Sequence, residues 1–322
     1  MTVGLIDLGM NGPERASRPD DPRHALGHTR PLVPSVCCPW VSAVLDWPQE
    51  RPSYRETTTL SDSNGLTLLG TTSAMSLLPL ALAQAIWLRM SGRRLPEPFG
   101  DRSGWTGDSA AEPLRLLVVG DSMALGVGCS AMERSLAPRL AYALAVRLRR
   151  RVEWQVIGRR NWTAAEVLRH LTLNGTPQHD IGLVLLGAND SLGLTARGRW
   201  RREFGRILEQ LELGGGRLLL SSCIRALGQV PAQPWPLNTL LGERFRQIDL
   251  DALDVVRSRR PDVERTCLHL PIDASELRSH LERDGLHPSA SGYAHWARWL
   301  SERVIEEWRA LPQTLPGVEQ AG

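Results

Sequence analysis

Short apolar runs alternate with longer segments of helical spacing across residues 114–311. The runs occupy residues 114–119, 152–157, 181–186, 217–222 and 263–268. Apolar residues recur with helical spacing in residues 131–150, 163–171, 195–213, 237–259 and 290–311. Continuous apolar runs are typical of strands buried on both faces, and strands that alternate with helices form parallel sheets covered on both sides. The pattern therefore predicts one α/β domain over 113–311, a three-layer α/β/α sandwich with a five-stranded parallel sheet.

Ahead of this domain, residues 1–62 show no sustained helical or strand periodicity in their apolar positions. Residues 1–62 are rich in Pro and Arg and have few clustered aliphatic residues, which predicts a disordered extension. An alternative is that the natural start is Met75 and that residues 1–62 lie upstream of it. Residues 91–112 have the Gly, Pro and polar content of a linker, and residues 312–322 that of a disordered tail.

Residues 63–90 form a hydrophobic segment that has no charged residue before its closing Arg89, with Arg93 and Arg94 soon after. A membrane-spanning helix needs about 20 apolar residues, and Thr, Ser and Gly dilute the first half of this segment. Two interpretations stay open: membrane association through 66–88, or a helix that packs on the domain. Because basic residues follow the segment, insertion would leave the domain in the cytoplasm. The expected location is therefore cytoplasmic or associated with the inner membrane of a bacterium.

The composition excludes several functional classes. The 322 residues are 42% hydrophobic and 23% charged, which is sufficient for a sizeable core. All 38 basic residues are Arg, so the chain has no Lys for a Schiff base or for a P-loop. The Arg clusters at 147–151 and 197–202 lack accompanying stacking aromatics, and no nucleic-acid partner is expected. Five Cys without a CxxC pair and eight His without an HExxH motif predict neither a disulfide framework nor a metal site.

Polar residues follow three of the predicted strands, and another polar segment precedes the last helix. Ligands of parallel α/β sheets bind beyond the carboxyl ends of the strands, so these segments are expected to converge there. The hydroxyl of Ser122 becomes a nucleophile only beside a base, for which His287 is the candidate. Asp284, three residues upstream, is suited to orient the imidazole. The backbone N–H of Ser122, an N–H from the loop after the second strand and the side-chain amide of Asn189 are candidate oxyanion donors.

Three short motifs resemble blocks of the SGNH (GDSL-type) hydrolases, a family named for a Ser, a Gly, an Asn and a His. They are Gly120-Asp121-Ser122, Gly187-x-Asn189-Asp190 and Asp284-x-x-His287-Pro288, in the order that the family has. The resemblance covers about 113–300. It implies a flavodoxin-like three-layer fold and hydrolysis of an ester or thioester without a cofactor.

The second block of the family departs from its usual Gly-x-Thr and is Asn161-Trp162-Thr163 here. The loop donor in this family is a backbone N–H, which Asn also has. The oxyanion donor is therefore assigned to Asn161, with Gly158 as the alternative register.

The resemblance implies a serine esterase that acts on a small-molecule ester or an acyl lipid. Ser122 is then the nucleophile, His287 the general base and Asp284 its orienting partner. Trp162 and Trp235 either line an acyl or alcohol pocket or pack within the domain. A carbohydrate acetylesterase, or a non-catalytic binding module on the same fold, remains an alternative, and the sequence does not indicate an oligomeric state.

Overall fold

The structure of the chain is a computed structural model. It describes residues 95–107, 112–222, 234–259, 267–268 and 279–311, together with residues 77, 79–81, 83–84 and 87. The predictions for residues 1–62, 312–322 and Met75 lie outside these described residues.

The described part of the chain forms one six-stranded sheet with the order β1-β3-β2-β4-β5-β6. The strands are Ser103–Thr106 (β1), Leu114–Gly120 (β2), Val152–Gly158 (β3), Ile181–Leu185 (β4), Leu218–Ser222 (β5) and Cys267–Leu268 (β6). Strands β2 to β6 pair in parallel and correspond to the five apolar runs, which confirms the predicted parallel sheet.

Helices cover both sides of the sheet. They are Ser122–Leu125 (α1), Leu136–Leu148 (α2), Ala164–Asn174 (α3), Ala188–Leu192 (α4), Arg197–Leu213 (α5), Leu237–Arg259 (α6) and Ala290–Ala310 (α7). Helix α2 packs against α7, whereas α3 packs against α5 and α5 against α6. Both groups contact the sheet, which gives the three layers that the alternating pattern predicts.

Strand β1 lies within residues 91–112, for which the composition predicts a linker. It pairs antiparallel with β3, from Ser103 opposite Gln155 to Thr106 opposite Val152. Its residues are only exposed or partly buried, and the ring of its one large apolar residue, Trp105, lies under the Arg151 guanidinium. A four-residue edge strand without a buried apolar face has no hydrophobic run, so the sequence pattern does not reveal it.

The described residues between 77 and 87 are helical. Ala81 is buried in the hydrophobic core, and the Gln84 amide bonds to the backbone at Trp235 and Leu237. These residues therefore contact the domain, as the packing interpretation of this segment expects. Within the described residues, no helix is long and apolar enough to span a bilayer.

His179 is a buried histidine just before β4, at the amino edge of the sheet. Its Nδ1 lies 2.8 Å from the carbonyl oxygen of Pro177, whereas its Nε2 has no hydrogen-bond partner among the described residues. A Cβ at Gly216 would lie 2.9 Å from Nε2, so the ring is tightly enclosed. Burial lowers the pKa of His179 below its ordinary value, because a protonated Nε2 would be a buried donor without an acceptor.

We expect His179 to make the protein less stable in mild acid. The unfolded chain binds a proton at His179 near pH 6.5, whereas the folded chain does so only at lower pH. The neutral His179 therefore makes its full contribution to the free energy of unfolding above the pKa it has in the unfolded chain. This contribution is lost as the pH falls toward the lower pKa of the folded chain, by up to about 1.4 kcal/mol per pH unit. Urea unfolding at several pH values between neutral and mildly acidic measures this slope.

The variant His179→Asn tests the assignment, because an Asn amide can still donate to Pro177 but does not titrate. It should unfold with a shallower pH dependence than the wild type in this range, whatever its stability at neutral pH. An unchanged slope in His179→Asn would show that other groups cause the acid sensitivity.

Candidate active site

The turn between β2 and α1 holds Ser122 at the carboxyl edge of the sheet. The Asp121 carboxylate caps α1, since its Oδ1 accepts from the N–H of Met123 at 2.9 Å. The Asp121 carbonyl oxygen accepts from the N–H of Leu125 at 3.0 Å. Ser122 is thus the first residue of the helix, and its hydroxyl is not needed as a helix cap.

A tight turn before α7 positions His287. The backbone N–H groups of Leu286 and His287 each donate to Oδ1 of Asp284 at 3.0 Å. Gly285, between Asp284 and Leu286, has a φ of +67°, a conformation that glycine adopts without strain. The other carboxylate oxygen of Asp284 lies 2.6 Å from Nδ1 of His287, and Nε2 lies 2.9 Å from Oγ of Ser122. The structure therefore brings together the three residues predicted for the nucleophile, base and orienting acid.

The protonation states follow from this arrangement. Burial acts to raise the pKa of Asp284, but the hydrogen bond with His287 and the two backbone N–H groups outweigh burial and lower the pKa. An ionised carboxylate only accepts hydrogen bonds, so Nδ1 of His287 carries the proton that it donates to Asp284. Nε2 is then free to accept the proton of Ser122.

Two backbone N–H groups, in the segments that follow β2 and β3, make no hydrogen bond among the described residues. Among the described residues, neither the N–H of Ser122 nor that of Asn161 donates to a protein acceptor. Asn161 has a φ of +60°, a left-handed conformation that glycine adopts most readily and Asn more readily than most other residues. Asn161 thus has the backbone conformation that suits the glycine of the family motif. Gly158 instead ends β3, paired with Gly120, and its carbonyl oxygen accepts from Arg102 at 3.1 Å.

The side chain of Asn189 is already bonded within the protein. Its Nδ2 donates to the carbonyl oxygen of Trp162 at 3.0 Å and to Oδ2 of Asp121 at 3.2 Å. An amide nitrogen has two hydrogens, so both are engaged. The sequence motif places Asn189 at this edge but does not reveal that its amide connects the loops after β2 and β3.

Two buried carboxylates stabilise these loops. Burial raises the pKa of Asp121 to about 6, against the opposing effects of the Met123 N–H and His287. Asp190 accepts from the N–H of Ala164 at 3.0 Å, at the first residue of α3, and burial raises its pKa. Asp190 therefore satisfies one of the backbone N–H groups at the start of α3. The same helix begins with the capping box that Thr163-x-x-Glu166 predicts.

The loop after α1 supports the His287 turn. A Cβ at Gly128 would lie 2.1 Å from the carbonyl oxygen of Pro288, so only glycine permits this close approach. The hydroxyl of the buried Tyr293 donates to the carbonyl oxygen of Val127 at 2.9 Å. Tyr293 is not predictable from the sequence, since a single Tyr in a helix carries no signal of such a contact.

The two tryptophans proposed for a pocket have different surroundings. The ring of Trp162 is partly buried and packs against the ring of His170 on α3. Trp235 is 59% exposed just before α6, and its carbonyl oxygen accepts from Gln84 at 2.8 Å. Neither ring has a recorded contact with Ser122 or His287 among the described residues, and a pocket role stays a prediction.

The described residues contain no cluster of three or more His, Cys, Asp or Glu side chains arranged to hold a metal ion. Cys129 is buried, and burial raises the pKa of its thiol to about 12. Its Sγ lies 3.2 Å from the carbonyl oxygen of Arg134, so this cysteine is a buried thiol with a backbone partner.

Comparisons with known proteins agree with the motifs. The model of the GDSL-like lipase/acylhydrolase family matches residues 118–295. A GDSL-like esterase of Mycobacterium tuberculosis is 25% identical over 185 residues, which cover 56% of this chain and 58% of that relative. The match therefore spans less than two thirds of the length of the relative.

Solved structures with a similar fold include a lipase from a goat rumen metagenome and a family 3 carbohydrate esterase of Clostridium thermocellum. The lipase is 17% identical with a TM-score of 0.47, over 60% of this chain and 96% of its own. The carbohydrate esterase is 17% identical with a TM-score of 0.46, over 62% of this chain and 98% of its own.

Proposed function

Because the chain belongs to the GDSL-like lipase/acylhydrolase family, we propose that it is a serine esterase that forms an acyl-enzyme on Ser122. The observation that carries the proposal is the position of His287 between Ser122 and Asp284, with hydrogen-bond distances of 2.9 Å and 2.6 Å. A hydroxyl on a neutral imidazole whose other nitrogen faces a carboxylate is the arrangement that activates a serine.

In the first half-reaction, Oγ of Ser122 attacks the carbonyl carbon of the ester while Nε2 of His287 takes the hydroxyl proton. Asp284 stabilises the imidazolium that forms. The tetrahedral intermediate collapses when the protonated His287 gives its proton to the leaving alcohol or thiol. The acyl group then remains on Ser122 as an ester.

In the second half-reaction, His287 takes a proton from water, and the resulting hydroxide equivalent attacks the acyl-enzyme. Collapse of the second tetrahedral intermediate returns the proton to Ser122 and releases the carboxylic acid. One water is consumed for each ester bond broken, and no cofactor is needed for the balance.

The oxyanion of both intermediates is proposed to bind the N–H groups of Ser122 and Asn161. Asn189 is proposed as a third donor, although its amide hydrogens already have acceptors. Its bond to Asp121 is the longer of the two, at 3.2 Å, and is the one we expect it to share with the oxyanion. Removal of one such donor typically costs about 3 kcal/mol in the transition state.

The substrate class is tested by a series of p-nitrophenyl esters from acetyl to palmitoyl. We expect turnover of short-to-medium acyl esters, with a rate that depends on acyl length. Turnover of acetyl esters alone would favour a carbohydrate acetylesterase. No turnover of any ester in the series, together with no labelling by a fluorophosphonate, would favour a non-catalytic binding module.

Asn161→Gly should retain kcat within about threefold of the wild type, because glycine keeps the backbone N–H and favours the left-handed conformation. Steady-state hydrolysis of a short-chain ester measures this. Asn174→Gly, at the end of α3, is the matched control for an Asn-to-Gly change. A loss of about a hundredfold or more in Asn161→Gly alone would show that the Asn161 side chain acts on the substrate.

A further inference from the structure

The helical residues between 77 and 87 have apolar side chains on the face that is exposed. The inward residues include the buried Ala81 and the partly buried Gln84. The exposed residues, which we call the outer face, are Pro79, Leu80, Ala83 and Trp87. At 100° per residue all four lie within one 100° sector of the helix, and all are apolar. A helix on a globular surface normally has the opposite arrangement, with polar residues toward water.

The side chain of Gln84, a polar residue of this helix, bonds to the domain. Nε2 of Gln84 donates to the carbonyl oxygen of Trp235 at 2.8 Å, and Oε1 of Gln84 accepts from the N–H of Leu237 at 3.3 Å. The amide thus makes two bonds to the backbone at the start of α6. This pairing fixes the outer face toward the exterior, where Leu80 is 48% and Trp87 is 62% exposed.

An exposed apolar side chain also stands at the start of α6, where Gln84 makes its two bonds. Trp235, whose carbonyl oxygen bonds to Gln84, is itself largely exposed. Helix α6 connects β5 to the parallel strand β6, so it begins at the carboxyl edge of the sheet. Ser122 lies at the same edge, directly after β2.

A loop on the same edge carries another exposed apolar residue in a strained conformation. Leu194 follows α4, is 76% exposed and has a φ of +52°. A non-glycine residue rarely adopts this conformation, and it persists where surrounding structure or function requires it. The guanidinium of Arg244 on α6 donates to the carbonyl oxygen of the next residue, Thr195, so the loop lies against α6.

We propose that the outer face, with Trp235, docks on the surface of an anionic lipid bilayer, so that the helix lies in the interface without crossing it. The segment that contains the helix has no charge between residues 63 and 88, and Arg89, Arg93 and Arg94 follow it. An apolar helix with cationic residues close to it in the sequence is typical of interfacial helices on anionic membranes. Tryptophan is enriched at this depth because its ring is apolar and its N–H is polar.

A bilayer fits this face better than a protein partner does. A protein interface commonly surrounds its apolar centre with a polar rim that supplies hydrogen bonds. The described residues of the outer face contain no side-chain hydrogen-bonding group except the indole N–H of Trp87. Docking at the carboxyl edge would also bring Ser122 near the membrane surface.

The test is flotation of the full chain with vesicles of equimolar phosphatidylcholine and phosphatidylglycerol. We expect the wild type to float with these vesicles and to bind more weakly to pure phosphatidylcholine. The double variant Leu80→Ser, Trp87→Ser should lose at least about tenfold in vesicle affinity, since two apolar side chains no longer enter the interface. Trp235→Ser, in the domain itself, should also weaken binding.

Leu173→Ser is the matched control, because Leu173 is 76% exposed at the end of α3, at the opposite edge of the sheet. It should bind vesicles as the wild type does. The circular dichroism and thermal midpoint of each variant report folding, and vesicle binding is measured without any turnover. Failure of the proposed esterase activity would therefore leave this test intact.

Two kinds of result would overturn the inference. The first is a wild type that does not float, or a double variant that floats as well as the wild type. The second is a wild-type dimer in sedimentation velocity that the double variant loses without any vesicle binding, because the face would then be covered by a second copy of the chain.

Discussion

Ser122→Ala is expected to abolish ester hydrolysis, with a loss of kcat of about a millionfold where the background permits its measurement. Among the described residues, Oγ of Ser122 lies 2.9 Å from Nε2 of His287, so we expect it to be the atom that receives the acyl group. The change should leave the fold intact, because Asp121 and not Ser122 caps α1, and Ala is favourable in a helix. We expect the free energy of unfolding to change by less than about 0.5 kcal/mol. Hydrolysis of a p-nitrophenyl ester and urea unfolding measure the two effects.

Ser130→Ala is the matched control for this prediction. Ser130 is exposed in the loop after α1, and its recorded hydrogen bond is made by its backbone carbonyl oxygen. The control should retain wild-type turnover. Substantial activity in Ser122→Ala would mean that the nucleophile is a different residue.

Asp284→Asn is expected to lower kcat by about ten thousandfold. The N–H groups of Leu286 and His287 both point at one oxygen of Asp284, so an Asn side chain must place its own oxygen there. Its NH₂ group then faces Nδ1 of His287, which must become the acceptor. The proton moves to Nε2, and the imidazole can no longer accept the proton of Ser122.

The tautomer of His287 distinguishes the effect of this variant from that of a simple loss of charge. Asp254→Asn removes a carboxylate that pairs with Arg201 on the surface of α5 and α6, and it should leave kcat unchanged. The ¹⁵N chemical shifts of His287 should show the proton on Nδ1 in the wild type and on Nε2 in Asp284→Asn. A loss of less than about tenfold would show that Asp284 does not orient the base.

The fold was predictable where burial dominates the sequence pattern. Strand β4 is buried at every position, so it appears as a continuous apolar run. Helix α6 was predicted at residues 237–259, and the structure has the same bounds. Strand β1 was not predicted, because an edge strand with exposed and half-buried residues has no apolar run to detect.

The candidate site was predictable to the level of residue identity but not of contacts. Ser122, Asp284 and His287 follow from motifs at the ends of predicted elements, and the structure places them within hydrogen-bond distance. Their catalytic roles remain predictions. The positive φ of Asn161 and the engaged amide of Asn189 depend on how distant loops meet. No periodicity in the sequence encodes such contacts.

The most direct test of the proposed activation of Ser122 is the reaction of the purified chain with a fluorophosphonate. Mass spectrometry of the intact protein and its peptides then locates the adduct. A fluorophosphonate reacts with a serine only where a base activates its hydroxyl. We expect one adduct per chain, located on Ser122, absent from Ser122→Ala and formed far more slowly in Asp284→Asn. An unlabelled wild type, or an adduct that persists in Ser122→Ala, would contradict the proposed activation.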